Sequence, residues 1–384
     1  MTLRTTTALA LIASFGLAGG ALAEEYKIGV MSAQSGYLAP YDQPAFAGFK
    51  FCIDKMNAEG GLAGKYQVVL AVHDTRSDMA ESVKVTQEMV DWGAQFIVSS
   101  ADADPTIAAG QITQPAGIPT MTFAGTAPVL TQVGDFIFGS YPADNQQGTV
   151  LADFATDQGF ERVYIVKSPD SAYTMGGPEY FAEVFEKNGG TVVGESLYSL
   201  NQPDFSAIVT NIKAADPAPD VIVTWAWEPD FPAFIRALRG AGLDTQVMGG
   251  DVLDTPTVRG LGEVVAGTYH TSGGFPDEGS TYAAFMQEYE AATGSVPDNN
   301  YYANGCDIAQ MIEAAVEIAG TTEPGAVRDA LANIENGEAI MSTFTFKGTD
   351  RMPLRPVVIA QINADGSKTF IKRGMADPEK LPQP

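Results

Sequence analysis

From residue 26 onward two apolar patterns take turns along the chain. Short runs rich in Val, Ile, Thr and aromatic residues alternate with longer stretches whose apolar positions recur at helical spacing, as expected of strands covered by helices. The runs predict strands over residues 26–31, 67–72, 95–99, 120–123, 162–166, 191–195, 220–225 and 267–271. Helices are predicted between them over 43–57, 78–92, 105–115, 143–157, 177–187, 204–214 and 230–241. Glycines follow several of these helices, as in Asn188-Gly189-Gly190, where a left-handed cap meets no Cβ penalty. A later group brings helices over 281–293, 302–319 and 323–333, then strands over 343–346, 357–362 and 368–371. Such a return suits a chain that passes more than once between two α/β lobes. Each lobe would present the carboxyl ends of its strands to a shared crevice, where open α/β sheets bind ligands. Residues 377–384 are polar and Pro-rich and are expected to be loose.

Length agrees with two lobes, because 384 residues, 45% of them hydrophobic, exceed one ordinary core. The first 23 residues stand apart. Met1, a lone cation at Arg4, an Ala- and Gly-rich apolar run from Ala8 to Leu22, and Ala21-Leu22-Ala23 before Glu24 read as a cleaved secretory signal. The run is too short for a membrane span. Residue 24 is Glu and not the Cys that a lipid anchor uses, so the processed protein is expected to be free in solution.

The chain has 22 basic and 47 acidic residues, a formal charge of −25, and loss of Arg4 deepens it by one. Such a field repels nucleic acid and anionic lipid, which makes both poor partners. Otherwise the acidity reads as a solvated surface. Two cysteines, Cys52 and Cys306, make no disulfide scaffold. Export permits a bridge between them, since both fall on helices expected in the same lobe, but two buried free thiols are the favoured reading.

Reactive constellations are missing from the sequence. His73 and His270 are far apart and read as structural, and no Cys/His cluster is spaced for zinc. Neither a G-x-S-x-G elbow, nor a phosphate loop, nor a G-x-G-x-x-G after the first strand occurs. Gly60-Gly61-Leu62-Ala63-Gly64-Lys65 has the wrong spacing, with Tyr66 where a phosphate loop needs Ser or Thr, and reads as a turn. Carboxylate pairs are too common in so acidic a chain to carry weight. We expect no metal, no cofactor and no catalysis.

An ordered set of motifs adds to this. Gln34-Ser35-Gly36, Tyr41, Ala47-Gly48 and Asn57-Ala58-Glu59-Gly60-Gly61-Leu62-Ala63-Gly64 are followed by Ala116-Gly117-Ile118-Pro119, residues 125–131 (Gly-Thr-Ala-Pro-Val-Leu-Thr), Gln146-Gln147-Gly148, Asp204-Phe205-Ser206 and Gly249-Gly250-Asp251. Together they resemble the branched-chain amino-acid (Leu/Ile/Val) binding proteins of ABC importers over nearly the whole chain after residue 23. The resemblance implies a periplasmic receptor of type I fold: two Rossmann-like lobes joined by three crossovers, closing on a small molecule and delivering it to a membrane permease. On that scheme residues 24–141 plus 273–342 form one lobe and 142–272 plus 343–384 the other. A monomer is expected, and a ligand sensor of the same fold is the alternative.

The resemblance also implies a pocket. Tyr41, Tyr173 and Trp227 match cleft aromatics; Ala124 and Thr126 match positions whose carbonyl, amide and hydroxyl meet an amino acid's ammonium and carboxylate; Asp251 matches an acid that pairs with the ammonium. Each has a plainer reading, as a half-exposed ring, a turn residue or a solvated loop acid. Trp225 and Trp227, two apart on a predicted strand, would share a side, one in the core and one on the cleft wall. Asp104-Pro105 is a good helix start, whose free amides suit a carboxylate. One departure matters: where the family has a carboxylate-binding serine, this chain has Ala103 between Asp102 and Asp104. The amide survives and the hydroxyl is lost, at about 0.5 to 1.5 kcal/mol. An inward Asp102 would oppose a carboxylate; together with Trp227 for stacking or cation–π contact, that leans toward a ligand with more cationic character or without a plain α-carboxylate, so a receptor for a cationic or amide ligand is a further alternative.

Overall fold

The computed structural model describes residues 24–384, so the expected signal segment, residues 1–23, lies outside the described residues. The first lobe is built by β1 (Glu24–Ser32), α1 (Ala39–Ala58), β2 (Tyr66–Asp74), α2 (Met79–Trp92), β3 (Phe96–Ser99), α3 (Ala103–Ala116), β4 (Thr120–Thr122) and the short β5 (Ile137–Phe138). Its strands pair in the order β2-β1-β3-β4-β5, all parallel. Every residue of β3 and β4 is buried, as expected where helices cover both faces of a parallel sheet.

The second lobe takes α4 (Asp144–Asp157), β6 (Arg162–Lys167), α5 (Ala172–Lys187), β7 (Thr191–Leu197), α6 (Ser206–Ala214), β8 (Val221–Thr224), α7 (Asp230–Gly240), β9 (Gln246–Gly249), α8 (Pro256–Arg259) and β10 (Tyr269–Ser272). The chain then returns to the first lobe with α9 (Thr281–Thr293), α10 (Tyr301–Ala319) and α11 (Pro324–Ala332), and ends in β11 (Val357–Ile362) and β12 (Lys368–Gly374). These last two complete a sheet of order β12-β11-β10-β9-β8-β6-β7, pairing antiparallel at its edge. Three crossings therefore join two sheets. Among the described residues no helix is long and apolar enough to cross a membrane.

The crossings are stitched to one another. Tyr141, on the first, accepts from the amide of Gly273 on the second and donates to Asn300 Oδ1 at 2.8 Å. Arg355, fully buried on the third, donates to the Ser140 carbonyl at 2.9 Å and to Asp307 on α10 at 2.5 Å. The hinge thus has its own cation, outside the cleft.

Several expectations are corrected. Cys52 on α1 and Cys306 on α10 form a disulfide rather than two thiols. The reason lies in the helix pair: a Cβ at Gly48 would overlap the Tyr302 carbonyl, and one at Gly305 the Ala45 carbonyl, so two glycines let the backbones approach within bridging distance. The helix predicted from Pro105 starts at Ala103 with Asp102 as its cap, since first-turn amides lack intrahelical acceptors and Pro there removes nothing. Residues 343–346 form no strand of the second sheet; Phe344 and Thr345 make isolated bridges to Gly337 and Leu354, and Phe346 packs edge-on against Phe138 of the first lobe. The tail is docked, its Pro382 carbonyl accepting from Asn145 at 2.9 Å and Lys380 meeting Asp153 at 2.8 Å. β5 and β9 escaped notice in the sequence, because their apolar runs are too short to show a period.

Candidate functional site

Loops at the carboxyl ends of the strands in both lobes converge on one small cavity, the place where sheets of this kind bind ligands. The first lobe supplies the β1–α1 loop, the β3–α3 loop and the residues after β4. Asp42, buried in the first turn of α1, ties two of these loops together by accepting from the amides of Ala33 and Ala101, both at 2.6 Å. Burial pushes its carboxyl up to about 7. Next to this brace Asp102 caps α3, its Oδ1 accepting from Ala103 N at 2.8 Å. After β4, Gly125 lies so near the start of α3 that a Cβ would stand 3.1 Å from Ala103 N. Thr126 is bound to α4: its hydroxyl donates to Asp144 Oδ1 at 2.8 Å, and its carbonyl accepts from Asp144 N at 2.9 Å.

The second lobe contributes Tyr173 from the first turn of α5, Trp227 after β8, and Asp251 and Val252 after β9. Asp251 is 1% exposed and receives Tyr173 Oη on Oδ1 at 3.2 Å and Tyr301 Oη on Oδ2 at 3.1 Å. Because Tyr301 opens α10 in the first lobe, this bond spans the cleft. A second link is the amide of Glu228, which donates to Tyr41 Oη at 3.1 Å. Trp227 stacks on Tyr173 with centroids 5.8 Å apart and planes 5° from parallel, and on Tyr37 at 5.5 Å.

The cavity is acidic. Burial pushes Asp251 up to about 6, against the pull of the Tyr301, Gln147 and Tyr173 hydrogen bonds. Burial and then Asp104 hold Asp102 well above the usual carboxylate range. Asp144, beneath Thr126, is raised by burial and next by Asp251. Among the described residues that line the cavity none is Lys, Arg or His. Other buried acids are treated differently: Asp254 meets Lys368 at 2.6 Å and Arg259 at 3.5 Å, and Asp307 meets Arg355 at 2.5 Å. Among the described residues no group of His, Cys, Asp and Glu is arranged to hold a metal ion.

Residues 25–367 match the family described as periplasmic binding protein. The chain belongs to that family. Members of it include a Leu/Ile/Val-binding protein homolog of Brucella melitensis, 26% identical over 91% of this chain and 94% of its own. The Leu/Ile/Val-binding protein of Escherichia coli K12 is 29% identical over 60% of this chain and 62% of its own. Among solved structures, a leucine-binding protein of Thermotoga maritima superposes with a TM-score of 0.84 at 23% identity, covering 93% of this chain and all of the other. The branched-chain amino acid binding protein of Streptococcus pneumoniae, in complex with isoleucine, gives 0.81 at 23% identity over 92% of this chain and 100% of its own. The two-lobed type I fold of the family is therefore shared.

Within this family member, Tyr41, Asp102, Ala124, Thr126, Tyr173, Trp227 and Asp251 all line the one cavity. Ala103 does not: its methyl is buried with Ala127 and Leu130, because the helix starts there and turns its side chain into that apolar layer. The two tryptophans follow β8 rather than lie on it; Trp225 packs against Gly177 and Gly250, where any Cβ would strike its ring. Leu38, Ala101, Gly125, Val252 and Tyr301 also line the cavity and went unnoticed in the sequence. Tyr301 had a signal, as an aromatic at the very start of a late helix, but its sequence distance from Asp251 hid the pairing.

Proposed function

We propose that this chain is the solute-binding receptor of an ABC importer, capturing an amino acid or a related small polar ligand between its lobes. The carrying observation is the pair of hydrogen bonds that Asp251 receives, one from each lobe, inside the cavity between the lobes. Closure of the lobes around a solute then builds the site and alters the surface offered to a permease. We assign residues 24–141 plus 273–342 to one lobe and 142–272 plus 343–384 to the other, with the stretch before Val357 running along the first lobe. Secretion to the periplasm by cleavage after Ala23, action as a monomer, and absence of turnover belong to the same reading.

A thermal-shift screen of amino acids, amino amides, amines, betaines and small carboxylates tests it. A ligand at 100 times its Kd adds about 2.7 kcal/mol of stability. Recovery of that ligand chemically unchanged is expected; its conversion, or no shift with any compound, overturns the reading.

A further inference from the structure

Among the described residues acids and no cation line the cleft, and most of its side-chain hydroxyl protons are already spent. On the first lobe several amides are already engaged, Ala101 N on Asp42, Ala103 N on Asp102 and Gly125 N on Thr122 Oγ1 at 2.8 Å, while that of Thr126 has no acceptor among the described residues. Three hydroxyl protons are engaged as well, that of Thr126 on Asp144 and those of Tyr173 and Tyr301 on Asp251, whereas the Tyr41 hydroxyl accepts from Glu228 N and keeps its own proton. Charged acceptor capacity outweighs the donors that are left. Asp102 and Asp251 line the cavity from opposite lobes, and Oδ2 of the fully buried Asp144 has no partner among the described residues. No lining cation offsets them. A carboxylate brought here would be desolvated beside acidic groups, whereas a cation would gain from each of them.

Among the free donors one side chain stands out. Trp227, 3% exposed and lining the cavity, has an indole N–H with no acceptor among the described residues. A buried donor of this kind asks for an acceptor, and a single neutral N–H suits a carbonyl or hydroxyl oxygen.

Resting on the receptor reading above, we propose that the cleft selects an organic cation, an amine or amidinium with a neutral acceptor in place of a free carboxylate, over the matching zwitterionic amino acid. Asp251 and Asp102 hold the cationic nitrogen, and Trp227 Nε1 donates to the neutral oxygen. Amino amides and amino alcohols are the simplest members of the class.

Calorimetry with matched pairs tests this: leucine against leucinamide, valine against valinamide, arginine against argininamide, with benzoate as an anion. At least one carboxylate-free member should bind ten times or more tighter than its amino acid. Asp102→Asn, which keeps a capping oxygen and is checked for folding by circular dichroism, should narrow that ratio at least threefold. Equal or tighter binding of the amino acids, or binding of benzoate alone, overturns the inference and leaves the receptor reading standing. An unchanged ratio in the folded Asp102→Asn protein also overturns it. If no compound in any class binds, both fall.

Discussion

Tyr301, at the start of α10 in the first lobe, donates its hydroxyl to Oδ2 of Asp251 in the second at 3.1 Å. The bond exists only while the lobes are together, so it couples closure to the charge at the centre of the cleft. Tyr301→Phe removes it and leaves the ring, which also packs against Tyr41 at 5.6 Å. A hydrogen bond to a charged group contributes about 1.5 to 3 kcal/mol, so ligand affinity by calorimetry should fall at least tenfold. Unchanged affinity would show that the liganded state does not use the bond.

The raised carboxyls make the unliganded protein less stable as pH rises. An Asp ordinarily titrates near 3.9 when unfolded, whereas burial pushes Asp251 up to about 6 and Asp42 up to about 7. Between pH 4 and 7 the native state therefore holds protons that the unfolded chain has released, and stability drains away as pH climbs through that window. Asp251→Asn should flatten the part of the slope between pH 4 and 6 and stabilise the unliganded protein above it, by up to about 3 kcal/mol. Urea melts at pH 4.5, 6 and 7.5 measure this; a parallel slope in the variant would refute it.

Agmatine, charged throughout the range, reads the same groups through binding. Asp251 faces Asp144, Tyr41, Tyr141, Tyr173 and Tyr301, and Asp102 faces Asp104, Asp42 and Tyr37, with no cation among the groups that face either; Lys50 and Lys55 of α1 and Lys187 of α5 lie further along those helices. Binding a cation requires their ionised forms. Affinity should therefore rise from pH 5 to pH 8, and a fall over that range would argue against a charged partner for Asp251 and Asp102.

Trp227 is held by stacking on Tyr37 and Tyr173, and its loss should be felt in binding more than in folding. Trp227→Ala removes the ring and its N–H from the cavity, and affinity is expected to weaken by more than about 1 kcal/mol. Trp227→Phe, which keeps a ring and removes the donor, isolates the N–H. If Phe binds as tightly as Trp in calorimetry, the donor is idle.

The Cys52–Cys306 bridge closes 254 residues of sequence. Cys52→Ala with Cys306→Ala should cost about 2 to 5 kcal/mol in urea melts, while ligand affinity stays the same, since the bridge lies on the side of α1 and α10 away from the cavity lining. A loss of binding without a loss of stability would place the bridge in the closure mechanism instead.

Much of this was legible along the chain. Alternating strand and helix periods revealed two α/β lobes, because periodic burial writes itself directly into residue type. Thr281–Thr293 was predicted to the residue, with Ser280 capping it and Gly294 closing it. Cleft-lining positions such as Tyr41, Thr126, Tyr173, Trp227 and Asp251 came from the family resemblance that the ordered motifs carry. The tertiary structure decided what sequence neighbours cannot: that Gly48 and Gly305 bring two helices close enough for a disulfide, that Asp102 rather than Asp104 caps α3, and that Ala103 turns away from the cavity. Above all it decided which donors are still free. Whether the Thr126 hydroxyl can greet a ligand depends on Asp144, and the charge of Asp251 depends on its burial, opposed by hydrogen bonds that include those of two tyrosines from opposite lobes. Residue type states what a group can bond; only the packed chain states which of its bonds are already made.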